Sequence, residues 1–179
     1  MPTPRVVRRR RAIKAGMGLL VLSLMSIAIL RIYMLSTEAP SPEQATGLTD
    51  QESAVLNRVN AERIRSGLRP LKISARAAVV ARGHSLDMAM RHYLAHLSPD
   101  GIGPAERLKG EDISFAAVGE NIYADDYRDR EHLAERAVEG WLNSREHRAT
   151  MLSDKFTETG VGVAQSDDGK TYITEDFIR

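Results

Sequence analysis

From Ala15 to Leu30 the chain is uncharged and mostly apolar, and after Arg31 the run resumes as Ile32-Tyr33-Met34-Leu35. As an α-helix, Ala15 to Leu35 would be about 31 Å long at about 1.5 Å per residue, which matches a bilayer hydrocarbon core of about 30 Å. Arg31 lies close enough to one end for its guanidinium to snorkel to the headgroups. Arg8-Arg9-Arg10-Arg11 and Lys14 precede the run. Such basic flanks stay cytoplasmic, so the N-terminus is expected inside and everything after Leu35 outside. A cleaved signal peptide is the rival reading. Thr37-Glu38-Ala39 followed by Pro40 fits a small-residue cleavage site poorly, however, and the run is long for a signal peptide. The expectation is an uncleaved transmembrane signal-anchor; both readings export the remainder. The chain divides into a basic cytoplasmic segment (1–14), the anchor (15–35), a linker (36–47) and one domain (48–179).

The exported domain must fold without disulfides, because the sequence has no cysteine. Roughly 130 residues bury enough core to manage this. With 42% hydrophobic and 27% charged residues among 179, composition fits one ordinary globular domain plus an appendage. The formal charge of +1 hides an asymmetry. Residues 1–35 hold seven basic side chains and no acid, leaving 18 basic against 24 acidic side chains, a formal charge of −6, for the rest. That balance excludes a polybasic nucleic-acid binder.

Residues Ser36 to Gly47, with Pro40 and Pro42, lack apolar periodicity and read as a tether. Thr49-Asp50-Gln51-Glu52 is a capping box, and Val55, Leu56, Val59 and Ile64 continue at helical spacing until Gly67. Leu68-Arg69-Pro70-Leu71 is a connector. Ser74 is the expected N-cap of a second helix, Ala75 to about His92, with Ala75, Ala78, Val79, Gly83, Leu86 and Met90 as its buried face. Pro99-Asp100-Gly101 marks a turn, Pro104 to Leu108 a short helix, and Gly110 to Ala117 a loop or edge segment. A third long helix is expected from about Arg128 to Asn143, with Leu133, Ala134, Ala137, Val138 and Trp141 on one face, Trp141 in the core, and Asp125, Asp126 and Asp129 near its start. The chain closes as a hairpin: Gly160 to Gln165, a turn at Asp167-Asp168-Gly169-Lys170, then Thr171 to Phe177.

Val118-Gly119-Glu120-Asn121-Ile122 stands out because it sets a carboxylate and an amide between apolar residues, midway between His96 and His147. A glutamate entering a core needs a cation, a hydrogen-bond network or a metal; a glutamate that only caps a helix or pins a loop is the plainer alternative. Two neutral imidazoles and one carboxylate suffice for Zn²⁺ with an open position for water, whose pKa could then fall toward about 7. The same groups beside Ser144 could orient a nucleophile, although Ser144 and His147, three residues apart, do not define a hydrolase geometry. His92 and His96 form a local i, i+4 pair without the glutamate of HExxH.

Five blocks occur in order: Asn57-Arg58-Val59-Asn60 with Arg63, Gly67, Leu68, Pro70 and Leu71; His96-Leu97-Ser98-Pro99 with Gly101; Gly119-Glu120-Asn121-Ile122; Trp141 with Ser144, His147 and Arg148; and Gly160-Val161-Gly162-Val163 with Phe177. Together they resemble the CAP superfamily of cysteine-rich secretory proteins, venom antigens and plant pathogenesis-related proteins, in its cysteine-free bacterial form, over about Leu48 to Phe177. The resemblance implies an α+β fold, a three-layer α-β-α sandwich around a mostly antiparallel sheet, with a cleft where two histidines and two acids converge. His96, Glu120 and His147 match three of these. Ser144 stands where animal and plant members carry the fourth, a glutamate; Glu146 and Glu175 are nearby acids off that position. The family includes lipid and sterol binders, metal-binding modules and proposed proteases. The expected function is a membrane-tethered extracytoplasmic binding module. Its cleft, formed by His96, Glu120, Asn121, Ser144 and His147, would hold Zn²⁺ or another divalent metal through His96, Glu120 and His147, or a small lipid or envelope-derived ligand. A hydrolase using the same His-Glu-His cleft is the alternative.

Overall fold

The computed structural model describes residues 47–126 and 130–179. The expected anchor and most of the linker lie outside the described residues, and no helix among the described residues is long and apolar enough to cross a membrane. The described elements are α1 (Asp50–Arg65), β1 (Lys72–Ile73), α2 (Ala75–Arg91), α3 (Pro104–Gly110), β2 (Val118–Asp125), α4 (Leu133–Asn143), α5 (Arg145–Met151), β3 (Glu158–Gln165) and β4 (Thr171–Ile178). The four strands form one sheet in the order β1-β3-β4-β2. β1 runs parallel to β3, and the two other pairings are antiparallel, so the sheet is mixed.

Helices cover both faces, and strand alternation decides which residues each receives. On one face Val161, Ile173 and Phe177 pack with Val55 and Val59 of α1, Ala137, Val138 and Trp141 of α4 and Met151 of α5. On the other, α2 lies directly against β3. A Cβ on Gly160 would fall 2.1 Å from the Ala77 carbonyl carbon, and one on Gly162 would fall 2.1 Å from the Arg82 nitrogen. These two glycines permit backbone-to-backbone contact between helix and strand.

The capping box on α1 forms as the sequence predicts, Glu52 Oε2 accepting from Thr49 N at 2.8 Å. Its carboxylate does more than cap. β1 covers only the start of β3, and beyond it Glu52 Oε1 accepts from Val163 N at 3.2 Å while Arg82 grips both carboxylate oxygens at 2.6 Å. An ion pair with a buried carboxylate and a half-buried arginine thus ties α1, α2 and the edge of β3 together.

Two expectations are corrected. The buried stripe of α2 is Ala77, Ala78, Val80, Ala81, His84, Ser85, Met88 and Ala89, whereas Val79, Leu86 and Met90 face solvent. The helix is rotated because its polar residues find partners inside: Ser85 Oγ donates to the Gly162 carbonyl at 2.9 Å, and His84 Nε2 donates to the Ala95 carbonyl at 3.0 Å. The third long helix begins at Leu133, within the expected span, because Asp125 ends β2 and accepts from Arg136 Nε at 2.6 Å rather than capping a helix. Val118–Asp125 is a full strand, and Ser144 caps a separate short helix, α5.

Candidate functional site at the edge of β2

β2 forms the outer edge of the sheet beside β4, with Glu120 opposite Asp176 and Asn121 opposite Glu175. Consecutive residues of a strand point to opposite faces, so Glu120 and Asn121 reach to different sides of this edge. Glu120 Oε1 accepts from His96 Nδ1 at 2.7 Å. Asn121 Nδ2 donates to the His147 carbonyl at 3.0 Å. Loop and helix are therefore drawn to the edge from the two faces, and the rings of His96 and His147 come to 6.1 Å between centroids. Gly119 permits the approach on the α5 side, since a Cβ there would meet Phe156 Cζ at 2.8 Å and Thr150 Cγ2 at 2.9 Å. Trp141 is core as expected, and its Nε1 also donates to the Ile122 carbonyl at 2.9 Å.

The Glu120 side chain is 1% exposed and both of its oxygens are engaged. Arg107 of α3 donates to Oε2 at 2.5 Å. The same guanidinium donates through Nη1 to the carbonyls of His96 at 3.1 Å and Ile102 at 2.8 Å. Arg107 thus neutralises the carboxylate and clamps the loop that carries His96. His84 supports the same loop through Ala95. Because a carbonyl can only accept, His84 carries its proton on Nε2, and burial holds its pKa below the usual histidine range, so it is neutral.

The same logic assigns His96. A carboxylate accepts, so His96 carries a proton on Nδ1 and presents Nε2 outward when neutral, from a side chain 47% exposed. His147 is held below the usual histidine range by burial and then by the facing His96. Its backbone N–H is 3.5 Å from Ser144 Oγ, which is the N-cap of α5. The Ser144 oxygen therefore has a structural task.

Behind Glu120 lie two acids on β4, Glu175, which the sequence marks only as an acid off the family position, and Asp176, which it does not mark. Asp176 is buried, neither of its oxygens has a hydrogen-bond partner, and burial followed by the Glu120 charge raises its pKa well above the carboxylate range. Glu175, on the opposite face, is pushed up to about 8 by burial. Thr159 Oγ1 supports this independently. It lies 3.0 Å from Glu175 Oε1 and 2.8 Å from the Asp176 carbonyl oxygen. One hydroxyl proton cannot serve two acceptors, so Thr159 donates to the carbonyl and a protonated Glu175 donates to Thr159. Arg107 and His84 were likewise missed, being a cation in a short charged helix and a lone histidine in an apolar one. Adjacent acids on the fully buried strand β4, with one facing each side, were the signal available in sequence.

The His92/His96 i, i+4 pair does not share a helix face, because α2 ends at Arg91 and His92 takes a left-handed φ of 52°. Among the described residues, one group of three has ligand atoms within 4.8 Å of one another, and it is His92, Asp167 and Asp168. His96, Glu120 and His147 converge without meeting that spacing in this conformation. A cavity of about 390 Å³, lined in part by Val80, Gly83, His84, Ile102 and Arg107, adjoins the Glu120 network but touches neither His96 nor His147.

A mixed sheet with helices on both faces and two histidines held over its edge strand is the architecture of an SCP-type domain. Residues 56–177 match the family described as "CAP: Cysteine-rich secretory protein family", and the chain belongs to it. It is 37% identical over 131 residues to "Uncharacterized membrane protein YlbC" of Bacillus subtilis (strain 168), covering 73% of this chain but 35% of that protein. The crystal structure of an extracellular SCP-domain protein from Bacillus anthracis str. Ames is similar with a TM-score of 0.62 at 32% identity, covering 80% of this chain and 45% of the other. The crystal structure of NaASP2 with Zn²⁺ shares the fold, with a TM-score of 0.55 at 13% identity over 78% of this chain and 83% of the other. The chain thus spans about a third of YlbC and less than half of the Bacillus anthracis protein.

Proposed function

We propose that this is a membrane-tethered, extracytoplasmic CAP-domain binding module whose two histidines over the edge strand β2, His96 and His147, hold a divalent metal, with zinc as the best fit. The observation that carries the reading is the His96 Nδ1 to Glu120 hydrogen bond at 2.7 Å. A carboxylate behind a histidine fixes its tautomer, raises the basicity of Nε2 and aims that nitrogen at a metal. His147 supplies the second imidazole from α5, and water or a ligand from outside completes the coordination. In this reading Glu120 positions His96 and is not itself a ligand, since Arg107 and His96 occupy its two oxygens. The donor set fits Zn²⁺ better than Ca²⁺, because imidazole is a poor ligand for hard cations. Zinc in the NaASP2 crystal structure agrees with the reading, as does the membrane-protein description of YlbC with an N-terminal anchor.

A serine hydrolase would need a nucleophile beside a base, and the Ser144 oxygen caps α5, so the Ser144 route is disfavoured and binding is the reading the geometry carries. Calorimetric titration of the full chain in detergent with Zn²⁺ tests it. Binding at pH 7.5 should be lost from this site in His96→Ala and in His147→Ala. Unchanged binding isotherms in both variants would overturn the proposal.

A further inference from the structure

His92 takes part in none of the chemistry described so far, yet it is the centre of a second constellation. It caps the C-terminus of α2 in a left-handed conformation, its N–H bonded to the Met88 carbonyl. Its ring therefore leaves the helix axis and faces the β3–β4 turn. There His92 Nε2 is 3.5 Å from Asp167 Oδ1, and Nδ1 is 3.8 Å from Asp168 Oδ2. Both separations are too long for hydrogen bonds. Asp168 is held in place by the turn itself: Ser166 Oγ donates to Oδ1 at 2.5 Å and Lys170 N at 3.2 Å, while Oδ2 is the oxygen nearest His92. Those hydrogen bonds, from Ser166 first, hold the Asp168 carboxyl below the usual carboxylate range, so it is anionic.

We propose that His92, Asp167 and Asp168 form a second divalent-metal site, separate from the His96/His147 edge and independent of it, that takes a borderline cation such as Zn²⁺. Ligands on a tetrahedral zinc with bonds of about 2.0 to 2.2 Å stand about 3.4 Å apart. The three ligand atoms lie within 4.8 Å of one another, so closing onto an ion requires movements of no more than about 1.4 Å. Side chains 51%, 88% and 60% exposed make such movements easily. One imidazole and two carboxylates neutralise the ion's charge and leave a position for water. The pre-set Asp168 supplies the outer-shell hydrogen bonding that metal-bound carboxylates characteristically have. Arg130 and Lys170 line the same cavity as Asp126, Asp167 and Asp168, with Lys170 facing Asp126 at 3.5 Å, so three acids against two cations leave the turn net anionic. Metal there would link the end of α2 to the hairpin and fix two otherwise exposed segments to each other.

The test is zinc binding by the full chain in detergent, measured by calorimetry and by metal content after desalting, in the wild type, His92→Asn and the Asp167→Asn/Asp168→Asn double variant. Asparagine tolerates the left-handed φ, so His92→Asn keeps the helix cap; unchanged circular dichroism checks this. Loss of a ligand should weaken binding at this site by at least about tenfold, no less than loss of an outer-shell partner. Both variants should lose this zinc while His96→Ala and His147→Ala keep it, which also separates failure here from failure at the other site. A tenfold excess of Ca²⁺ should not displace the zinc. Retention of full zinc binding in His92→Asn, or displacement by Ca²⁺, would overturn the proposal.

Discussion

Replacing Arg107 with Met would keep the stem of the side chain and remove the cation from Glu120. The arginine side chain is 13% exposed and the glutamate 1%, so the pair is screened little by solvent. Taking one partner from such a pair costs about 3 to 5 kcal/mol, because the other charge stays buried and uncompensated. The carbonyls of His96 and Ile102 also lose a charged donor, adding about 1 kcal/mol. Against a total stability of about 5 to 15 kcal/mol for such a domain, the loss is a large fraction, and it corresponds to a fall of about 10 to 20 °C in melting temperature. Urea denaturation of the 48–179 fragment at pH 7 measures it. Adding Glu120→Gln to Arg107→Met should restore more than half of the loss, since the uncompensated charge is then gone. A single-variant cost below about 1 kcal/mol, or no rescue by the second substitution, would refute the argument that Arg107 serves chiefly as the counter-charge of Glu120.

Other consequences are equally measurable. Glu175 titrates near 8 when folded and near 4.5 when unfolded, so its stabilising contribution is complete below about pH 4.5 and is lost as pH rises toward about 8, a change on the order of 5 kcal/mol. Glu175→Gln should therefore flatten the pH dependence of stability and be more stable than wild type at pH 8 in urea titrations. Gly162→Ala should destabilise or unfold the domain, because its Cβ would enter the α2 backbone, whereas Gly83→Ala, with nothing within 4 Å, should stabilise it by about 1 kcal/mol. Ser144→Ala should cost about 1 kcal/mol as a lost N-cap and leave zinc binding intact by calorimetry. If the anchor is uncleaved, the protein should retain its N-terminal arginines, fractionate with membranes and expose its domain to added protease; recovery of a soluble protein starting near Pro40 would show cleavage.

Where the sequence spoke through local chemistry, it was legible. The Thr49/Glu52 capping box, the Ser74 cap and the terminal hairpin follow from rules spanning a few residues, and they form as expected. The convergence of His96, Glu120 and His147 was read from family resemblance, because nothing local links three segments. What local rules could not supply was the orientation of α2. An apolar count favours Val79, Leu86 and Met90, but backbone contact at Gly160 and Gly162 and partners for His84 and Ser85 turn the helix the other way. Long-range pairing also hid Arg107 and Asp176, which no local pattern marks until the fold sets both against Glu120.

If Glu120 holds the Nδ1 proton of His96 and leaves Nε2 to bind metal together with His147, the histidine rings report it. Long-range ¹H–¹⁵N correlation spectra of the histidine rings, recorded at pH 7.5 in a His92→Asn background with and without Zn²⁺, test it directly. His96 should be the Nδ1–H tautomer before and after zinc, its Nε2 resonance should shift on addition, and a His147 nitrogen should shift with it. An Nε2–H tautomer for His96, or zinc leaving both rings unmoved, would contradict it.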